Sequence, residues 1–458
     1  MATSSISSLG LGSDGVLSYD VIDQLRAADE SAQITPIDKK LTTNSTKQTD
    51  LTALTTLTAT LKSATSTLSD EMSYLKRTTT VSDNAVSVNA SSGVSVQDFT
   101  LRVDQLAQKD IYQTKGYASS STALGLSADT FTFSISGKEY SVNVTSSTTL
   151  DSLKESINEV AGDKITASIL NVGGTDPYKL IIKSDETGSN NAITFTAGAT
   201  TTALGLADTT NHLQTAKNAS FVYNGVTITR SSNTIEDLIV GATITLNSKH
   251  DVDESSSIAI KQDTTDIKDG IESLVSSYNE LIANLNEALT YDSDTETAGT
   301  FQGVSQISAL SSDIRRQLLA INSSGKSLID YGISLNDNGY LEFDETAFDE
   351  KMTTDSSEVE TFFRGETDED GNTTNGFFTD FNKLLAGYVD SDGVLSLYST
   401  SLTSEKTSLT KEREATVARL DDRYETMAAR FASYDSIISK LNNQFSALSM
   451  MIEEAYSS

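Results

Sequence analysis

From Val417 to the C-terminus the apolar residues fall in alternating steps of three and four: Leu420, Tyr424, Met427, Phe431, Tyr434, Ile438, Leu441, Phe445, Leu448, Ile452 and Ala455. Such an alternation, sustained over about five heptads, is the seam of a coiled coil, and as a helix it spans about 60 Å. Leu402 and Leu409 extend it upstream, with a change of phase before Leu420. The N-terminal part offers a matching helix, with Leu51, Leu54, Leu61, Leu68, Met72 and Leu75 at helical spacing and Thr58 and Thr65 filling two seam positions. Ahead of it, Val21, Ile22, Leu25 and Ala28 predict a short amphipathic helix that stops near Pro36. The Ser- and Gly-rich first twenty residues carry no such pattern and are expected to be disordered in isolation.

Between these ends the period changes from helical to alternating. Val86 and Val88 alternate up to Ser91-Ser92-Gly93, after which Val94 and Val96 resume, followed by Phe99, Leu101 and Val103. Phe131, Phe133 and Ile135 alternate up to Gly137-Lys138, and Tyr140, Val142 and Val144 after it; Phe221 and Tyr223 turn at Asn224-Gly225 into Val226 and Ile228. These are strand and hairpin patterns. A helix with Leu150, Leu153, Ile157 and Val160 on one face follows the first hairpin, then strands at 165–170 and 180–183. The pentapeptide TALGL occurs at 122–126 and again at 202–206, bracketing one segment, so domain edges are placed there. Helical spacing returns with Ile271, Leu274, Tyr278, Leu281, Leu285 and Leu289. The predicted class is α+β and multidomain: discontinuous helical and coiled-coil terminal domains with β-rich domains inserted between them.

A formal net charge of −31 and a pI near 4.3 argue against a nucleic-acid partner, since phosphate binding needs clustered Lys and Arg. The chain has no cysteine, which removes disulfides, thiol nucleophiles and thiolate metal sites together. The opening MATSSISSLGLGSDGVLSYD has neither a basic n-region nor a continuous apolar core, which argues against a general secretory signal, and no apolar run approaches a membrane span.

Catalytic chemistry is hard to build from what remains. His212 and His250 are the only histidines and are read as surface residues outside any motif; no GxSxG, Walker A, GxGxxG or HExxH spacing is present. The acidic stretches 292–296, 368–370 and 390–392 lack the EF-hand pattern and read as solvated loops. Tyr112, Tyr117 and Tyr178 are weak candidates for a glycan site and read better as core or edge residues. No catalytic, metal or cofactor residue is assigned. The candidate interaction residues are the seam positions Leu420, Tyr424, Met427, Phe431, Tyr434, Ile438, Leu441, Phe445, Leu448 and Ile452, with an N-terminal patch of Val21, Ile22 and Leu25.

Several stretches resemble the flagellar filament-cap family, also called hook-associated protein 2. They are SSISSLGLGSDG with VIDQLRAAD, ASFVYNGVTITRSSNTIEDLIVGATITL, and then LVSSYNELIANLNEALTYD, DIRRQLL and LIDYGISLNDNGYLEFDETAFDEKM, closed by ISKLNNQFSALSMMIE, while TTLDSLKESINEVAG with KITASIL resembles the IN motif of flagellin and hook-associated proteins. The likeness runs in order along nearly the whole chain. It implies terminal disordered and coiled-coil segments at 1–45 and 412–458, a helical leg domain at 46–76 and 265–411, a β-rich head domain at 77–118 and 214–264, and an inserted α/β head domain at 119–213. It further implies a non-enzymatic protein without cofactors, secreted through the flagellar type III route to the distal filament tip. Its partners would be other copies of itself (commonly a pentamer), flagellin, and a cytosolic export chaperone. A hook–filament junction protein and a tip adhesin or glycan-binding module are the rival readings.

Overall fold

The computed structural model describes residues 19–292, 297–367 and 373–456. The expected disorder of the first residues, the 293–296 part of one acidic stretch and all of 368–370 lie outside that range. The chain divides into two compact units, one drawn from both ends, up to Asp70 and from Asp266, and one formed by Glu71–Thr265.

The end-drawn unit is helical. Helix α1 (Tyr19–Gln33) is followed by α2 (Thr35–Ser69), and Pro36 lies in the first turn of α2. Proline is tolerated there because the first-turn N–H groups have no intrahelical acceptor. It therefore separates two helices instead of ending helical structure. Leu51, Leu54, Thr58, Leu61, Thr65 and Leu68 are buried along α2 at the expected spacing. Met72 is exposed, because α2 ends at Ser69 and a separate short helix, α3 (Glu71–Leu75), breaks the phase. The unanticipated half of α2 is its polar beginning. There Asn44 is buried, donates to the Leu402 carbonyl (3.0 Å) and the Glu405 carboxylate (2.8 Å), and accepts from Gln48.

The second unit contains α3, helices α4 (Leu150–Ala161) and α5 (Ala199–Ala203), and two β cores. The first core lies between a five-stranded antiparallel sheet, ordered β1-β15-β3-β11-β12, and a three-stranded sheet, β13-β14-β2. Here β1 is Arg77–Val81, β2 Val86–Ala90, β3 Gln97–Gln105, β11 Ala219–Tyr223, β12 Val226–Arg230, β13 Thr234–Ile235, β14 Ala242–Leu246 and β15 Ser256–Gln262. Leu101, Val103, Phe221, Ile244 and Ile260 fill it. The turn at Gly93 does not close a hairpin: β2 pairs with β14 and β3 with β15 and β11, so this turn carries the chain from one sheet to the other. The Asn224-Gly225 hairpin forms as predicted, with Tyr223 opposite Val226 and both turn residues at positive φ. The unit's β-structure begins and ends on paired strands, with Arg77 opposite Gln262.

The second core joins a four-stranded sheet, β10-β4-β8-β7, to a three-stranded one, β6-β5-β9, with α4 against them. These strands are β4 (Ile111–Gln113), β5 (Asp129–Ile135), β6 (Lys138–Val144), β7 (Ile165–Asn171), β8 (Tyr178–Ser184), β9 (Thr194–Phe195) and β10 (His212–Gln214). A reciprocal Thr149–Ser152 capping box starts α4, and Leu150, Leu153, Ile157 and Ala161 face inward. Val160 is exposed, one residue off that face. Both TALGL copies end in the same core: Leu126, Leu204 and Leu206 are buried there, Leu124 packs against it, and Gly125 and Gly205 take positive φ.

Return to the helical unit is through α6 (Thr265–Leu289), where Gly270 lets Leu68 approach to within 3.0 Å of where a Cβ would stand. Helix α7 (Ser305–Leu318) leads to the LIDYGISLNDNGYLEF stretch, a hairpin of 333–335 with 341–343. Asn279 of α6 clamps Leu341 by both backbone groups, and the Tyr278 hydroxyl donates to the Gly339 carbonyl. Gly332 is required at φ 78°, where a Cβ would stand 2.5 Å from the Asp344 carbonyl oxygen. Helices α8 (Glu345–Arg364) and α9 (Phe377–Val389) build an aromatic core from Phe348, Phe362, Phe363, Phe377, Phe378 and Phe381. The last helix, α10 (Val394–Tyr456), is 63 residues long, or about 95 Å.

Candidate assembly interface

Helix α10 changes its surroundings along its length. Leu395, Leu402, Leu409 and Thr416 are buried, each seven residues from the next. The seam then shifts, and Leu402 and Leu420 stand 18 residues apart, which is five turns of a straight helix. The stripe therefore stays on one face through the phase change anticipated before Leu420.

Helix α1 covers the next stretch in antiparallel fashion. Ile22 and Ile34 form a small core with Leu420 and Tyr424, against which Val417, Met427, Ala428 and Phe431 pack. Polar rungs flank this core. Arg26 pairs with Asp421, Arg423 with Asp29 (2.8 Å) and Arg413 with Asp38 (2.6 Å), and Arg419 donates to Gln33 (2.8 Å). The Tyr424 hydroxyl donates to Asp29 at 2.7 Å, and burial, then the Asp29 bond and charge, hold that hydroxyl above the usual tyrosine range. Numbers rise on α10 as they fall on α1, so the start of α1 lies near Ser433.

Beyond that level the seam is bare. Tyr434, Ile438, Leu441, Phe445, Leu448 and Ile452 are 39–66% exposed, and Ile437, Met450 and Met451 add to the same helix surface. The structure thus separates residues that the sequence joins in one stripe: Leu420 and Tyr424 are buried, Met427 and Phe431 are half-covered, and six lie open. It also splits the N-terminal patch, since Ile22 is buried while Val21 and Leu25 are exposed. The covering helix could have been read from Val21–Ala28; which part of the seam it covers could not.

The residues considered for catalysis do structural work. Neither histidine is a surface residue. The Val103 N–H donates to His250 Nδ1, so the ring proton sits on Nε2 and points to Ser256 Oγ (2.9 Å), which donates to Asp83 (2.8 Å). In this direction the serine gives its proton to the carboxylate and the histidine cannot accept it, so the trio is no nucleophile. Asp83 sits below the usual carboxylate range: desolvation acts upward, but the Ala85 N–H and the Ser256 and Ser82 hydroxyls outweigh it. His212 bonds to buried Asp110 (2.7 Å) and stacks on Tyr112 (4.0 Å between ring centres); Asp110 also accepts from the N–H groups of Ile193 and Ala216. Tyr112, Tyr117 and Tyr178 all pack against the inserted core. Among the described residues no group of three or more His, Asp or Glu side chains is arranged to hold a metal, and no helix is long and apolar enough to cross a membrane.

Fold and surface together define a structural assembly protein: helical ends paired within one chain, β units inserted between them, and an apolar helix face left open. Two family profiles match, "Flagellar hook-associated protein 2 C-terminus" over residues 216–443 and "Flagellar hook-associated protein 2 N-terminus" over 14–110. The chain belongs to the flagellar hook-associated protein 2 family. It is similar to the Campylobacter jejuni protein of that name, with 37% identity over 79% of this chain and 65% of that protein, so it spans about two thirds of that relative's length. It is also similar to the Helicobacter pylori J99 protein, with 25% identity over 99% of both chains. A crystal structure titled "flagellar cap protein FliD D1-D2-D3 domains" from Escherichia coli shares the fold, with a TM-score of 0.52 and 24% identity over 77% of this chain and 99% of that one.

Proposed function

We propose that this chain caps the distal end of a bacterial flagellar filament as a ring of identical subunits and promotes the insertion of exported flagellin there. Family membership and the shared fold of a flagellar cap protein support this reading. The observation that carries the mechanism is the bare seam from Tyr434 to Ile452. Six large apolar side chains left about half exposed forgo about half of the roughly 1.5–3 kcal/mol that full burial of each supplies, on the order of 5–9 kcal/mol in all. A secreted subunit keeps such a face only if something covers it in the assembly. Heptad helices exchange partners by knobs-into-holes contacts without covalent chemistry, which suits legs that engage and release flagellin in turn. A ring whose symmetry differs from that of the filament makes its legs non-equivalent, so each insertion shifts which leg is free. Before export the same face is the surface for a cytosolic chaperone. For the cap subunit we propose the division that the resemblance implies, into terminal segments, helical leg and two β-rich head domains; the pairing of β4 with β8 and β10 supports edges of the inserted domain near residues 110 and 215.

Replacing Phe431, Ile438 and Leu441 together by Asp tests the assignment. Filaments are expected to stop elongating and unpolymerised flagellin to accumulate in the medium, while the β unit keeps its circular-dichroism signature. Normal filaments on the triple variant would overturn it.

A further inference from the structure

We infer that α1 is a charge-held strap over the proximal part of the α10 seam, able to peel from Leu420–Phe431 while α2 stays folded. The inference rests on the assembly reading of the seam for its purpose, though not for its physics.

The contrast between α1 and α2 carries it. Of the side chains described in α1, only Ile22 is buried, with Ile34 following at the joint; α2 buries nine. What else holds α1 is polar and largely in water. The Arg26 and Asp421 side chains are 39% and 50% exposed, those of Arg423 and Asp29 57% and 28%, and Gln33 and the Tyr424 hydroxyl add hydrogen bonds to Arg419 and Asp29. The joint is thinner than a helix interior: the Ile34 carbonyl accepts from Ile37 and Asp38, but Pro36 has no N–H to bond back toward α1. Release would join Leu420, Tyr424, Met427 and Phe431 to the six open positions, turning a partial seam into one of ten. The strap therefore sets how much apolar helix the subunit shows, and ionic contacts set the strap.

Each exposed pair changes an opening equilibrium by a factor of roughly 1.5 to 5, and these contacts are screened as the Debye length falls from about 10 Å at 0.1 M salt to 3 Å at 1 M. Hydrogen–deuterium exchange on the full-length chain at 0.05 M and 1 M NaCl tests this. Amides of 22–33 are expected to exchange roughly ten-fold faster at high salt, with those of 51–68 unchanged. Arg26→Gln with Arg423→Gln should give the fast exchange already at low salt and abolish the salt response. Salt-independent exchange of α1, or a change shared equally by 51–68, would overturn the strap. The readout needs neither flagellin nor filament, so its failure is distinct from that of the Asp-substitution test.

Discussion

Glu358 shows how single side chains hold the helical unit. It accepts from the Tyr331 hydroxyl (3.0 Å) and from Lys326 and Lys351 (3.3 Å each). The Tyr331 bond first, then against desolvation the two lysines, keep its carboxyl below the usual glutamate range, while burial and Glu358 push the Tyr331 hydroxyl upward. A carboxylate depressed in the folded state contributes stability that is present above its unfolded pKa, near 4.3, and is lost as pH falls through the folded value. Glu358→Gln is therefore expected to cost about 1 kcal/mol at pH 7 and much less at pH 3, read from denaturant midpoints. An equal loss at both values would mean that the charge contributes nothing. No spacing rule pointed to this network, since Tyr331, Lys326 and Glu358 meet only through tertiary packing. The two histidines were equally illegible: Asp110 and Val103, to which they bond, lie more than 100 residues away in sequence, and only Ser256 is near.

The helices themselves were legible where large apolar residues carried the period and not elsewhere. Leu51–Leu68, Ile271–Leu285 and Leu420–Ile452 announce themselves; Thr35–Asp50 does not, because its buried positions are Ile37 alone among apolar residues and the polar Asn44. A buried asparagine on a helix seam fixes which turns face each other at some cost in stability. Asn44→Ala should destabilise the helical unit by about 1–2 kcal/mol by leaving the Leu402 carbonyl and Glu405 without their donor. Asn44→Leu keeps the shape but supplies no donor, and should lose a similar amount. Chemical denaturation of the two variants checks this: if Leu restores the stability that Ala loses, the asparagine acts by shape and not by hydrogen bonding. Strand pairing was only half legible. Asn224-Gly225 specifies a hairpin locally, whereas the partners of β2 and β3 come from strands more than 100 residues further on, which period-two alternation cannot select.

At the scale of the whole molecule, the sequence showed helix giving way to strand and back, and a β-rich insertion follows from that. Both β cores close within Glu71–Thr265. A fragment from Lys76 to Asp263 is accordingly expected to fold as a soluble unit with cooperative thermal unfolding; a non-cooperative melt would show that its cores need the helices. The pairing of Arg77 with Gln262 has a wider consequence. Its two ends leave as strand neighbours about 5 Å apart, so to the helices the entire insertion behaves like the tip of a hairpin. Adding to that tip changes no loop closure in the helical unit. A lineage can therefore remodel the inserted region, by whole domains if need be, and leave the helical unit's own closure unchanged.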